Sequence, residues 1–156
     1  MKLWIKIAVF SMLIGILSCE KEERQFGTLN YIAYGTSFGE CLGYCNHYMK
    51  VYPHLATLRK YGWDENGRLP DMQCSIPLES YEFISVKDSL DVGIFFTLDE
   101  TYGCPDCADG GAEWVEVSFD TVIHRVTFEY MNEPGELLTI VPALRELMER
   151  FEGCEE

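Results

Sequence analysis

Positive charge is what this chain has least of. Its 156 residues hold 12 Lys and Arg against 26 Asp and Glu, a formal net charge of −14. Phosphate contacts need clustered Lys and Arg, so the balance excludes a nucleic-acid footprint and a polybasic patch for lipid headgroups. The chain also lacks internal repeats, a long Ser/Pro/Gly linker, and an apolar run of the roughly 20 residues a helix needs to cross a bilayer. It has no Gly-x-Ser-x-Gly elbow, no His-Glu-x-x-His pair and no phosphate-binding loop. Carboxylates are so frequent that their pairing carries no catalytic signal. What is abundant is apolar. A fraction of 47% hydrophobic residues, 13% of the chain aromatic, can bury enough surface to offset the entropy of ordering. The length suits one compact domain.

The N-terminus reads as an address. Lys2 and Lys6 precede a mostly apolar run from Ile7 to Leu17, and no acid appears before Glu20. That is the layout of a secretory signal, too short and wrongly flanked to span. Its removal takes away two basic residues and no acid, moving the net charge from −14 to −16. The run ends Ile16-Leu17-Ser18-Cys19, which resembles the bacterial lipobox. The resemblance implies that Cys19 is acylated and becomes the mature N-terminus, and several acyl chains anchor stably. Cleavage at a plain secretory site, leaving Cys19 as a thiol, is the alternative. Glu20-Lys21-Glu22-Glu23-Arg24-Gln25 reads as a solvated tether. It also resembles the Lys-then-acids signal of Bacteroidetes-type lipoproteins carried to the cell surface. The expected organisation is a signal over 1–18, an anchor and acidic tether over 19–28, and one domain over 29–154. The expected location is the cell envelope at the outer membrane or cell surface, with the membrane as partner through Cys19.

Within the domain, Leu29 to Gly35 is rich in aromatic and β-branched residues and reads as a strand. Thr36 to Gly43 reads as a loop. His47 to Tyr52 alternates, with Tyr48, Lys50 and Tyr52 on one face and His47, Met49 and Val51 on the other. Pro53-His54 turns the chain into a strand over Ala56–Trp63, closing a first hairpin. Asn66-Gly67 marks a turn within 64–70. Leu78 to Leu90 contains no Gly or Pro and predicts a helix; Val92 to Leu98 fits a short helix or a buried strand. Glu113–Phe119 and Thr121–Tyr130 predict a second hairpin. Leu137, Ile140, Val141, Leu144, Leu147, Met148 and Phe151 form one stripe at helical spacing. Pro142 must then lie in the first turn or kink the helix. The expected fold is α+β: an antiparallel sheet of four to five strands in two hairpins, with a long C-terminal helix and a second helix on one face.

Six cysteines follow Cys19: Cys41, Cys45, Cys74, Cys104, Cys107 and Cys154. Export makes disulfides the default, and six cysteines allow 15 pairings. Local pairs Cys41–Cys45 and Cys104–Cys107 would leave Cys74 with Cys154; pairing across the two clusters is the rival. Cys41, Cys45, Cys104 and Cys107 could instead give four thiolates to a structural zinc. Cys104-Pro-Asp-Cys107 has redox spacing, but Ala-Asp-Gly-Gly follows it and breaks the helix whose N-terminus would stabilise a thiolate. Asp106, Asp109 and Glu113 could offer oxygens to Ca²⁺, though without the EF-hand order. His47, His54 and His124 show no ligand spacing. No cofactor motif is present.

Two segments, Gly35-Thr-Ser-Phe-Gly-Glu-Cys41-Leu-Gly-Tyr-Cys45 and Gly103-Cys-Pro-Asp-Cys-Ala-Asp-Gly-Gly-Ala-Glu-Trp-Val-Glu-Val117, resemble a family of secreted bacterial lipoproteins of Bacteroidetes type. Its members carry a Cys-Phe-Gly-x-Cys-Pro type segment opening a β-hairpin. Cys41, Gly43 and Cys45 match it, while Leu42 and Asn46 depart from it. The resemblance implies export and fold and brings no activity with it. The functional expectation is a lipid-anchored, disulfide-stabilised, non-enzymatic binding or structural domain. Its first candidate surface is the loop pair Thr36–Gly43 and Gly103–Gly111. The alternative is a metal-binding or thiol-redox protein using the Cys104/Cys107 cluster.

Overall fold

A computed structural model describes residues 27–151, 153 and 154. The expected signal over 1–18, Cys19 and the expected tether through residue 26 lie outside them. Eight strands form one sheet: β1 (Leu29–Ser37), β2 (Gly43–Tyr52), β3 (Leu55–Asp64), β4 (Gly67–Arg68), β5 (Met72–Pro77), β6 (Thr101–Tyr102), β7 (Ala112–Phe119) and β8 (Val122–Glu129). The order across the sheet is β4-β3-β2-β1-β7-β8-β6, with β5 also paired to β3. Three helices accompany it: α1 (Ser80–Asp88), α2 (Val92–Phe95) and α3 (Ile140–Glu149). Among the described residues no helix is long and apolar enough to cross a membrane.

This corrects the expected fold. The protein is mostly β, and the two predicted hairpins are joined through β1 and β7 into a sheet of eight strands rather than four or five. The sheet is mixed, because β6 runs parallel to β8. The C-terminal helix is short. The stripe does begin at Leu137, but Gly135–Leu137 is a 3-10 turn and the α-helix starts only at Ile140. Pro142 supplies the reason. Having no N–H, it cannot donate to the carbonyl of Leu138, so a regular helix cannot extend back through it. At ten residues α3 is too short to hold itself. Burial of Ile140, Val141, Leu144 and Leu147 holds it, at about 1.5–3 kcal/mol for each fully buried aliphatic side chain.

The main cluster of apolar side chains lies on one sheet face. Cross-strand register sets Ala56, Val51, Ile32 and Val117 in one row, and Leu58, Met49, Tyr34 and Val115 in the next. The helices cover these rows with Phe83, Val86, Phe95, Leu144 and their neighbours. Short caps hold two of the helices: Glu79 N–H donates to Glu82 Oε2 at 2.7 Å in α1, and Ile94 N–H to Asp91 Oδ1 at 3.0 Å in α2.

Among the described residues the opposite face carries no helix, and a layer of side chains seals its centre. Trp114 pairs across the sheet with Gly35, and its indole lies where a β-carbon on Gly35 would stand. Only glycine permits that approach. Beside it Glu116, 5% exposed, accepts hydrogen bonds at Oε1 from Tyr31 (2.8 Å) and Tyr48 (2.7 Å), and at Oε2 from Arg125. Burial alone would raise this carboxyl, but the donors from Tyr48, Arg125 and Tyr31 outweigh it and hold it below its ordinary value. The same burial and the Glu116 charge push the Tyr48 phenol upward.

Candidate cleft at the end of the sheet

The apolar rows on the helix-covered face give way to a polar one. Thr36 on β1 faces His47 on β2, His47 faces Lys60 on β3, and Thr36 faces Glu113 on β7. The row Lys60–His47–Thr36–Glu113 thus runs straight across four neighbouring strands, which are about 4.8 Å apart. It floors a cleft of about 510 Å³ between the sheet and α3. The rest of the lining is largely apolar: Phe38, Leu58, Tyr130, Met131, Met148 and Phe151.

Charge in the cleft is arranged unevenly. Glu113 is fully buried, and Arg145 of α3 reaches it through Nη2 (2.5 Å) and Nε (3.3 Å). Arg145 also donates from Nη2 to Glu133 at 2.8 Å. Two carboxylates thus engage one guanidinium and leave one negative charge in excess. Their hydrogen bonds outweigh the desolvation of Arg145 and keep it charged at any accessible pH. Tyr34 beneath them is pushed above the ordinary phenol range, first by burial and then by the Glu113 charge. Burial lowers His47, the charge of Lys60 lowers it further, and so its imidazole is neutral at pH 7. Thr36 Oγ1 lies 3.5 Å from His47 Nδ1. Lys60 Nζ donates to the Cys154 carbonyl at 3.4 Å.

The cysteines pair as Cys41–Cys45, Cys74–Cys154 and Cys104–Cys107, with Cα separations of 5.9, 6.0 and 5.4 Å, ordinary for disulfides. Of the pairings left open, the local one is therefore found, and the rival across the two clusters is not. None of the six cysteines lines the cleft, but each bond braces a segment linked to it. Cys41–Cys45 closes the segment between Phe38 and His47. Cys74–Cys154 ties the chain end, with the Phe151 wall and the carbonyl that Lys60 meets, to β5. Cys104–Cys107 shapes the loop whose Asp106 accepts from Gly39 N–H at 3.1 Å. The predicted loop pair thus does meet. Phe38 seats on Gly111, which has φ +80° and no room for a side chain, and stacks edge-on against Tyr130 at 4.9 Å. Thr36 and Ser37, expected in the loop, belong to β1, and Gly43 to β2.

Other expected sites do not assemble. The four cysteines offered to zinc are consumed in two local disulfides, and no cluster of three or more metal-ligating side chains exists among the described residues. Cys107 opens a three-residue 3-10 turn, not an α-helix, so no helix dipole lowers a thiol there. Glu113 points into the cleft while the Asp106 carboxylate holds Gly39, and no oxygen site forms with Asp109. His54 lies near Ser80. His124 Nε2 lies 3.1 Å from the Leu98 carbonyl, which can only accept, so that nitrogen carries the proton; Phe95 and Phe96 flank the ring.

Lys60, Arg145 and Glu133 were not among the expected site residues. A signal existed for Lys60. Alternation places it on the same face as Ala56 and Leu58, an inward lysine on an apolar side. No family model matches the chain, and no curated protein matches it.

Proposed function

We propose that this is an exported, lipid-anchored envelope protein whose disulfide-braced domain is a binding module rather than a catalyst. The observation that carries the binding half is one cleft with a polar floor of four side chains set in a row and largely apolar walls, in a domain braced by three disulfides. Such a cavity, apolar with a few fixed polar groups, has the character of a small-ligand site. Its strongest charges, Glu113 and Arg145, neutralise each other, and His47 has a hydroxyl neighbour but no carboxylate to orient it as a general base. Rigid walls suit holding a ligand, because pre-organisation lowers the entropy lost on binding. Support for the anchor comes from the Leu17-Ser18-Cys19 junction and the resemblance to Bacteroidetes-type lipoproteins.

The anchor is tested by Cys19→Ala. The substituted protein should lose incorporation of labelled palmitate and leave the membrane fraction. Retention of both label and membrane association would refute acylation at Cys19.

A further inference from the structure

We infer that the cleft is selective for a monoanion, a carboxylate carried on an apolar body, with Lys60 as its counter-ion. The inference rests on the binding reading above and names the class of ligand. Among the described residues, Arg59, Arg68, Arg125, Arg145 and Arg150 each pair with a carboxylate. Lys60 has no carboxylate within ion-pair distance there. Its one hydrogen bond, to the Cys154 carbonyl, uses one of three donors. It is half-buried at the end of the polar row, where water is partly excluded and an unpaired ammonium is most in need of an anion.

The remaining groups sort the ligand further. Thr36 offers a hydroxyl beside the neutral His47 ring, so the middle of the row can hydrogen-bond without adding charge. At the far end Arg145 is already engaged by Glu113 and Glu133, and cannot serve as a second cation. Glu149 stands exposed at the mouth and would repel a second negative charge. One available cation in a strongly acidic protein therefore favours one negative charge over two, a carboxylate over a phosphate dianion. The aromatic and thioether walls, Phe38, Tyr130 and Phe151 with Met131 and Met148, contact the body.

The test is a titration of the full chain, produced with its own leader and purified without reductant, followed by the methyl resonances of Met131 and Met148. The probes are 4-phenylbutyrate, its uncharged amide 4-phenylbutyramide, and 3-phenylpropyl phosphate. The acid should bind at least tenfold more tightly than the amide and more tightly than the phosphate. Lys60→Gln should bring the acid to the level of the amide, while Lys60→Arg and the control Lys50→Gln keep the preference. Equal binding of acid and amide to the unsubstituted protein, tighter binding of the phosphate, or a preference that survives Lys60→Gln would each overturn the inference. In those three cases shifts at both methionines would leave the binding reading standing. If no probe moves either methionine, the inference and the binding reading both fall.

Discussion

Cys74–Cys154 should be the cross-link that stability depends on most, and its worth can be worked out from the chain. It joins residues 80 apart, whereas Cys41–Cys45 and Cys104–Cys107 join residues 4 and 3 apart. In the chain-entropy account a loop of that size removes about 15 cal/mol/K from the unfolded ensemble, or about 4.5 kcal/mol at 25 °C. The local pairs are worth roughly 2 kcal/mol by the same relation, and short stiff loops obey it least. Replacing both partners, Cys74→Ala with Cys154→Ala, avoids a stray thiol and should cost about 3–5 kcal/mol. For a domain of roughly 125 residues this lowers Tm by about 10–18 °C. The assay is urea unfolding followed by far-UV circular dichroism, with Cys41→Ala/Cys45→Ala as the comparison. The midpoint should fall, and the slope should rise as the unfolded chain expands. A loss below about 1 kcal/mol, or one no larger than that of the local pair, would refute the reasoning. Mass spectrometry under non-reducing conditions supplies the companion check, that all six domain thiols resist alkylation.

Two further outcomes follow from the charged groups. Arg145→Met strands Glu113, a fully buried carboxylate, and should destabilise by about 3–5 kcal/mol, with Glu113→Gln/Arg145→Met recovering much of the loss; equal stability of the single and double variants in urea unfolding would contradict this account of the pair. His47 is held below its ordinary value, so the unfolded chain takes up its proton first as pH falls below about 6.5. Stability is therefore full above that pH and is lost as pH falls through the folded value; Glu116 and Glu133, also held low, extend the decline below about pH 4.3. His47→Gln should flatten the pH 7-to-5 part of the stability curve, and an unchanged slope would show that His47 does not carry it.

Much of the fold was legible where one element's pattern sufficed. The alternation of His47 to Tyr52 assigned both faces of β2, and both hairpins stand where turn residues put them. The helical stripe of α3 is real, and only its length was overread, because side-chain periodicity persists through a 3-10 turn that Pro142 excludes from the helix. β5 was missed although Met72, Cys74 and Ile76 alternate inward. Gln73, Ser75 and Pro77 gave it the composition of a loop, which an edge strand tolerates because one side of its backbone faces water. β4 and β6, at two residues each, are too short for any period and exist only because a neighbouring strand receives them.

The site divides in the same way. By itself the sequence determined an acidic, cysteine-rich chain, and it determined the inward or outward sense of each residue along its own strand. That sense follows from the two-residue period of the backbone, a local property. Which inward residues meet was decided only by the tertiary structure, because register between strands depends on long-range pairing that no local pattern encodes. Thr36, His47, Lys60 and Glu113 come from four strands spread between Leu29 and Phe119, and only the order β3-β2-β1-β7 sets them in one row. The cysteines behaved likewise. Their number pointed to cross-links; two pairs close over three or four residues, while Cys74 and Cys154, 80 residues apart, meet only because the chain after α3 returns to β5.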